Sequence, residues 1–398
     1  MTLVCFVTGV GNATAKELSS TEALVNRLVE ESQKHQKTRP GDPHDLLRQA
    51  ETYAVELASD VSAYNHWMLQ IIQGYVKKGQ IEEAEYLVDR LPGYGSAQAH
   101  ALLALHYARL HQADKTEPHL IAALKQVDQM SGLSAENLRS QCILALYHLG
   151  RKTQGDAEMG KLGRLSLLSL ETELHMQGLV PAIKLLDAKR RLVSVPDQGE
   201  DERRARFLLA CAEQQFVNGE PDLGKAFLEE IGMMSVQNGL PNAQRVLLDL
   251  ARVARMGGQE QLAKKSLNLF LKCCEAYGDG ADWKPIFMTD AVGVLLAWQQ
   301  NDQAQEWLKR AEESMAKVFV LEAPAAYLAI AHQHEKLGQV QEADDLLLAA
   351  LKAGASYKHP RARAEAEVRV CLYFSEAGRA MPAQISKFFS QATAEVAQ

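Results

Sequence analysis

A glycine that returns about every forty residues, each time between two stretches with apolar residues at three- to four-residue spacing, constrains this 398-residue chain more than any other feature. The clearest unit runs from Trp67 to Leu91, where Ile72, Tyr75, Gly79, Ala84, Val88 and Leu91 mark two amphipathic helices joined at Gly79. A reversal this short needs a left-handed backbone, which glycine adopts without penalty. Small Ala84 then lets the second helix lie close against the first. The same skeleton returns around Gly258 and around Gly338, where Ala343 takes the place of Ala84. Weaker copies surround Gly219 and Gly378, the latter followed by Pro382, suited to a helix's first turn.

The reversals at Gly219, Gly258, Gly338 and Gly378 are 39, 80 and 40 residues apart, and a unit turning near Gln299 fills the double gap. Earlier reversals at His111, Gly150 and Gly178 are less even, so the register between about 112 and 200 stays open. A period of forty holds two helices of about sixteen residues, each about 24 Å long. One such pair cannot bury its own apolar stripe, whereas a stack buries a continuous core. The spacing therefore predicts an all-α chain, an α-solenoid of stacked antiparallel helix pairs over residues 46–398, with a candidate elbow near 195–202 (VPDQGEDE). Before it lie an N-terminal helix and linker, 16–45, broken by Pro and Gly in QKHQKTRPGDPH.

These units resemble the tetratricopeptide-repeat family, which asks for a small residue at position eight, an aromatic at eleven, Gly at fifteen and Ala at twenty. Ile72, Tyr75, Gly79 and Ala84 follow that pattern, with Ile72 larger than expected; Ala331, Gly338 and Ala343 follow it with His334 in the aromatic place. Units of forty exceed the family's usual thirty-four, which marks a divergent, longer-helix relative. The resemblance implies a superhelical, non-enzymatic scaffold that holds a partner protein or peptide on the concave face lined by first helices.

On that register Arg206 falls at position two of one unit, and Arg245, Arg252 and Arg255 at positions two, nine and twelve of the next. Seven residues advance a helix by about 700°, so Arg245 and Arg252 share a face. The resemblance turns these positions toward the groove, where guanidinium groups suit an acidic partner segment. The competing expectation pairs them with Asp249, Glu213 or other nearby acids. The family's carboxylate clamp also wants Asn where this chain has Glu213.

Other chemistry is mostly excluded by residue pattern. His334-Glu335 opens like a metalloprotease helix, but Gly338 stands where the second histidine belongs, and His332 and His334 diverge around the axis; both are expected at the surface or groove. No phosphate-binding loop, nucleophile elbow or C-x-x-C pair occurs, so no catalytic, metal or cofactor residue is assigned. Acid runs such as Glu82-Glu83, Glu229-Glu230 and Glu312-Glu313 are expected on solvated faces. Cys142, Cys211 and Cys371 fall where first helices want small apolar residues, and Cys273-Cys274 is expected to serve packing too. A net charge of −7 supplies no global field for nucleic acid, and no apolar run is long enough to span a membrane.

Residues 1–15 carry an apolar run, Leu3 to Val10, and a small-x-small site at Ala13-Thr14-Ala15, which slightly favours export, although a basic n-region is missing. An odd five cysteines beyond Cys5 pull the other way. Gly9-Val10-Gly11 imitates a dinucleotide-binding turn, but Thr14 holds the third glycine place and a helical stretch follows instead of a strand. Two further functional classes remain open. A helical-toroid enzyme of the carbohydrate-active type would place isolated acids at its centre, with longer repeats and more aromatics than the 6% here. A regulatory sensor arm would need a second domain, and none fits outside the array.

Overall fold

The computed structural model describes residues 45–193, 201–238, 244–276, 282–319, 322–357 and 360–396. The expectations for residues 1–15, for Cys5, for the helix and linker up to 44, and for all of the elbow except Asp201 and Glu202 lie outside the described residues. Within them every regular element is helical. Helix α1 (Leu46–Val55) precedes nine sequential couples: α2 (Val61–Lys77) and α3 (Ile81–Val88), α4 (Tyr94–Arg109) and α5 (Ala113–Val127), α6 (Leu133–His148) and α7 (Lys152–Met159), α8 (Arg164–Met176) and α9 (Leu185–Val193), α10 (Asp201–Val217) and α11 (Pro221–Asn238), α12 (Gln244–Met256) and α13 (Glu260–Ala276), α14 (Lys284–Ala297) and α15 (Asn301–Ser314), α16 (Ala323–Lys336) and α17 (Val340–Ser356), α18 (Pro360–Ala377) and α19 (Ala383–Val396).

Each couple turns at a residue of positive φ, from 55° at His111 to 78° at Gly219. The first helix ends in one hydrogen-bonding pattern: at Gly79 its own N–H donates to Val76 O (3.1 Å) and the next N–H, of Gln80, reaches back to Tyr75 O (2.9 Å). That reach-back bond recurs at the next seven reversals, as Gln339 N–H to His334 O at Gly338 and Gln300 N–H to Leu295 O at Gln299. Gln299 (φ 60°) and His111 hold this backbone with a Cβ, at a cost of about 1–2 kcal/mol each. A Cβ on Gly338 would meet no atom within 4 Å, so only the backbone resists substitution there. Opposite signs are therefore expected in thermal or urea unfolding: Gly338→Val loses about 1–2 kcal/mol and Gln299→Gly gains up to about 1.

Five residues past seven of the nine reversals the second helix carries a small buried residue; Ile183, ahead of α9, and exposed Ala383 of α19 depart from this. Ala84, Ala263, Ala304 and Ala343 are fully buried there. Where the first helix instead carries a ring three residues before its reversal, the small residue shrinks to glycine. A Cβ on Gly155 would stand 2.6 Å from the Tyr147 ring, and one on Gly224 2.5 Å from Phe216. Ala343→Leu is expected to destabilise by about 1–3 kcal/mol through overpacking, measured as a lower urea midpoint at unchanged slope.

Seven couples fold as hairpins along their lengths; α9 and α19 depart. Helix α9 lies against α11, where Lys189 meets Glu230 at 2.6 Å, while the short interval from Gly150 to Gly178 reflects the short helices α7 and α8 that fill it. The first helices stack in sequence from α2 through α4, α6, α8, α10, α12, α14 and α16 to α18, and α18 then packs against α2. The solenoid thus closes on itself. Helix α18 runs along α1 much as α16 runs along α17, so α1 takes the second-helix place beside α18. Helix α19 packs on α17, and its Phe389 sits 5.3 Å from Tyr53 of α1. One core cluster consequently joins Leu47, Ala50, Ala54 and Leu57 to Val368, Cys371 and Phe374. Charged contacts bind the same seam: Arg361 to Asp60, Lys77 to Glu376, and the Arg369 guanidinium 4.5 Å from the Trp67 ring centre.

Candidate partner-binding surface

The four arginines picked out by sequence lie on α10 and α12, adjacent first helices of the ring. The shared spacing puts Glu213 of α10 opposite Arg252 of α12, and their forks meet in parallel, Nη1 to Oε1 at 2.8 Å and Nη2 to Oε2 at 2.9 Å. Arg206 donates to Glu202 at 3.0 Å, one helical turn earlier. Arg245 lies 5.8 Å from the Phe287 ring centre of α14. Arg206, Arg252 and Arg245 all act on Asp249, and Arg245 also acts on Asp290 of α14. Burial still raises both carboxyls above their ordinary range, because lost hydration outweighs the neighbouring cations.

Arg255 leaves this group. It turns to Glu260 across the reversal (3.3 Å) and stands 4.8 Å from the Trp298 ring centre. Arg206, Arg245 and Arg252 are thus brought together, and Arg255 is not. The acids named as their competing partners, Asp249 and Glu213, do face them. Pairing does not hide the surface, since 47% of the Arg252 side chain and 35% of the Arg206 side chain remain exposed. Lys264 and Lys265 lie exposed on α13, a second helix.

His334 is a correction. It is 8% exposed, with Nδ1 2.8 Å from Gln339 Oε1 and Nε2 2.5 Å from Glu312 Oε1, because the aromatic place in each unit is an interior one. Glu312 is accordingly held by a buried ring and is only partly solvated. His332 is half-buried against Tyr373, ring centres 4.4 Å apart, and burial lowers its pKa. Cys142, Cys211, Cys274 and Cys371 are buried, and burial pushes the first three thiols up to about 12, which makes them poor nucleophiles. Among the described residues no three potential ligands gather for a metal ion, and no helix is long and apolar enough to cross a membrane.

Two seam residues escaped the sequence reading. Glu51 of α1 accepts from the Tyr75 hydroxyl, and Glu367 of α18, 1% exposed, accepts from Arg363 Nε at 3.0 Å while its other oxygen has no partner among the described residues. Burial raises both carboxyls to about 7. Glu51 lies at the start of the segment read as the repeat array, and nothing local signals that α1 meets a helix three hundred residues away.

No family model and no curated protein matches the chain.

Proposed function

We propose that this chain is a non-enzymatic interaction scaffold, a divergent relative of the tetratricopeptide repeats, that holds an acidic segment of a partner protein against the inner face of its ring of first helices. The observation that carries this reading is the cluster of Arg206, Arg245 and Arg252 on neighbouring helices, in which the Arg206 and Arg252 side chains stay partly exposed although acids neutralise them locally. An arriving carboxylate exchanges with Glu213 or Glu202 at small cost, because exposed pairs are each worth about 0–1 kcal/mol. A glutamate-rich peptide of about twelve residues, followed by fluorescence anisotropy, tests it. Arg252→Glu is expected to weaken binding about tenfold and Lys265→Glu less than twofold, with affinity falling as salt rises. The two variants change net charge equally, so equal losses would mean a diffuse field and no inner-face site.

A second reading is favoured by one observation. The ring is closed, and Asp249 and Asp290, on adjacent inner helices, both have raised carboxyl pKa values. A helical-toroid hydrolase would use two such acids as proton donor and acceptor. Turnover of a panel of chromogenic glycosides that disappears in Asp249→Asn and Asp290→Asn would establish it, and no turnover by the unaltered protein would dismiss it.

A further inference from the structure

Each first helix presents one residue two places before its reversal, at the same rim of the ring. On α8, α10 and α12 these residues are Met176, Val217 and Met256, which are 53%, 75% and 46% exposed. Ala297 of α14 extends the series and is exposed as well. Val217 and Met256 stand one helical turn beyond Glu213 and Arg252, so this apolar arc borders the charged inner face. Scattered apolar residues are ordinary on a surface, but the same position left apolar and exposed on consecutive repeats forms a continuous strip.

Cations flank the strip, with exposed Lys336 of α16 beyond Ala297 and a closer pair of basic groups at the Met176 end. Arg109 of α4 reaches to Gln177, the residue after Met176, with Nη2 3.5 Å from Oε1, and His148 of α6 lies 2.7 Å from the same oxygen. Arg109 has no carboxylate partner among the described residues. We propose that the rim formed by Met176, Val217 and Met256 docks an amphipathic helix of a partner protein, with the helix's acidic end at Arg109. Neighbouring first helices stand about 8–10 Å apart, so the three contacts span about 20 Å, the length of about thirteen residues of helix. One partner side chain per repeat then corresponds to apolar residues at i, i+7 and i+14. The proposal rests on the scaffold reading and moves the principal contact from the arginine cluster to this rim.

The test uses the full chain and synthetic helical peptides with leucine at i, i+7 and i+14: one with glutamates at one end, one with lysines there, and one with the leucines replaced by serine. Binding of the acidic-ended peptide is expected to be at least about tenfold tighter than that of either control. Val217→Asp is expected to cut it about tenfold without altering the melting curve, because the side chain is exposed. Arg109→Glu is expected to reverse the preference between acidic and basic ends. Three results would overturn the proposal: equal binding of the three peptides, no binding of any, or full binding by Val217→Asp. If Arg252→Glu abolishes binding while Val217→Asp leaves it intact, the scaffold reading stands and the rim falls. If sedimentation shows a dimer that Val217→Asp dissociates, a second copy covers the strip and the proposal is likewise overturned.

Discussion

A chain starting at residue 60 is expected to lose its ring closure: small-angle scattering shows a larger radius of gyration, and the melting temperature falls. The deleted segment carries Leu47, Ala50, Ala54 and Leu57, none more than 1% exposed, and its helix α1 fills the place beside α18. Without it Val368, Cys371 and Phe374 meet water, and every first helix loses the restraint of a closed circle. Single truncations report the same contact more gently. Leu47→Ala and Leu57→Ala are each expected to cost about 2–5 kcal/mol. A synthetic peptide covering 44–59, added in trans, is expected to restore compactness, since the site on α18 and α2 remains. If the shortened chain keeps the radius and melting temperature of the full one, α1 does not hold the ring closed.

The seam is also expected to weaken as pH rises. Glu51 and Glu367 have pKa values of about 7 when folded, against 4.5 for the ordinary side chain. Below pH 4.5 both states hold these protons. Between 4.5 and 7 the unfolded chain gives them up and the native chain keeps them, so stability is lost across that window and levels off above it. For Glu367, 1% exposed, the loss is on the order of 3 kcal/mol; half-buried Glu51 contributes less, about 1–2 after solvent screening. Arg363 and Arg48 oppose the shifts, whereas Glu56, Asp45 and Glu83 reinforce them.

Histidines act in the other direction. Burial lowers His66, His100, His119, His175 and His332, so the unfolded chain binds protons that the native chain refuses, and stability falls as pH drops below 6.5. The whole-protein curve therefore mixes both signs, and the decisive quantity is a difference. Glu367→Gln is expected to match the unaltered protein at pH 4.5 and to exceed it by about 3 kcal/mol at pH 8 in urea unfolding, because the amide never ionises. A constant offset between the two curves would mean that Glu367 is ionised in the native ring.

Much of the candidate site was legible, because it follows from repeat register. Once Gly219 and Gly258 are aligned, Glu213 and Arg252 fall at the same position of neighbouring units, and the fork between them follows. The same alignment places Met176, Val217 and Met256 two residues before three reversals. Arg255, three residues beyond Arg252, looks instead to the reversal, where Glu260 pairs with it. His334 was misjudged because a polar residue in an interior position looks like a surface one until Gln339 and Glu312 are seen to satisfy both ring nitrogens.

Local rules account for what the sequence determined by itself: helices end where a left-handed residue can reverse the chain, and their apolar stripes dictate which faces stack. Those rules act within about forty residues, so they specify the couples and the order of stacking. Closure is of another kind. It depends on the small rotation between each couple and the next, summed around the stack, and no single unit contains that sum. Only the tertiary structure decides that α18 returns to α2, that α1 and not α19 lies along α18, and that Glu51 and Glu367 are buried at the join. These contacts link residues about three hundred apart, and their burial exists only after the last repeat has met the first.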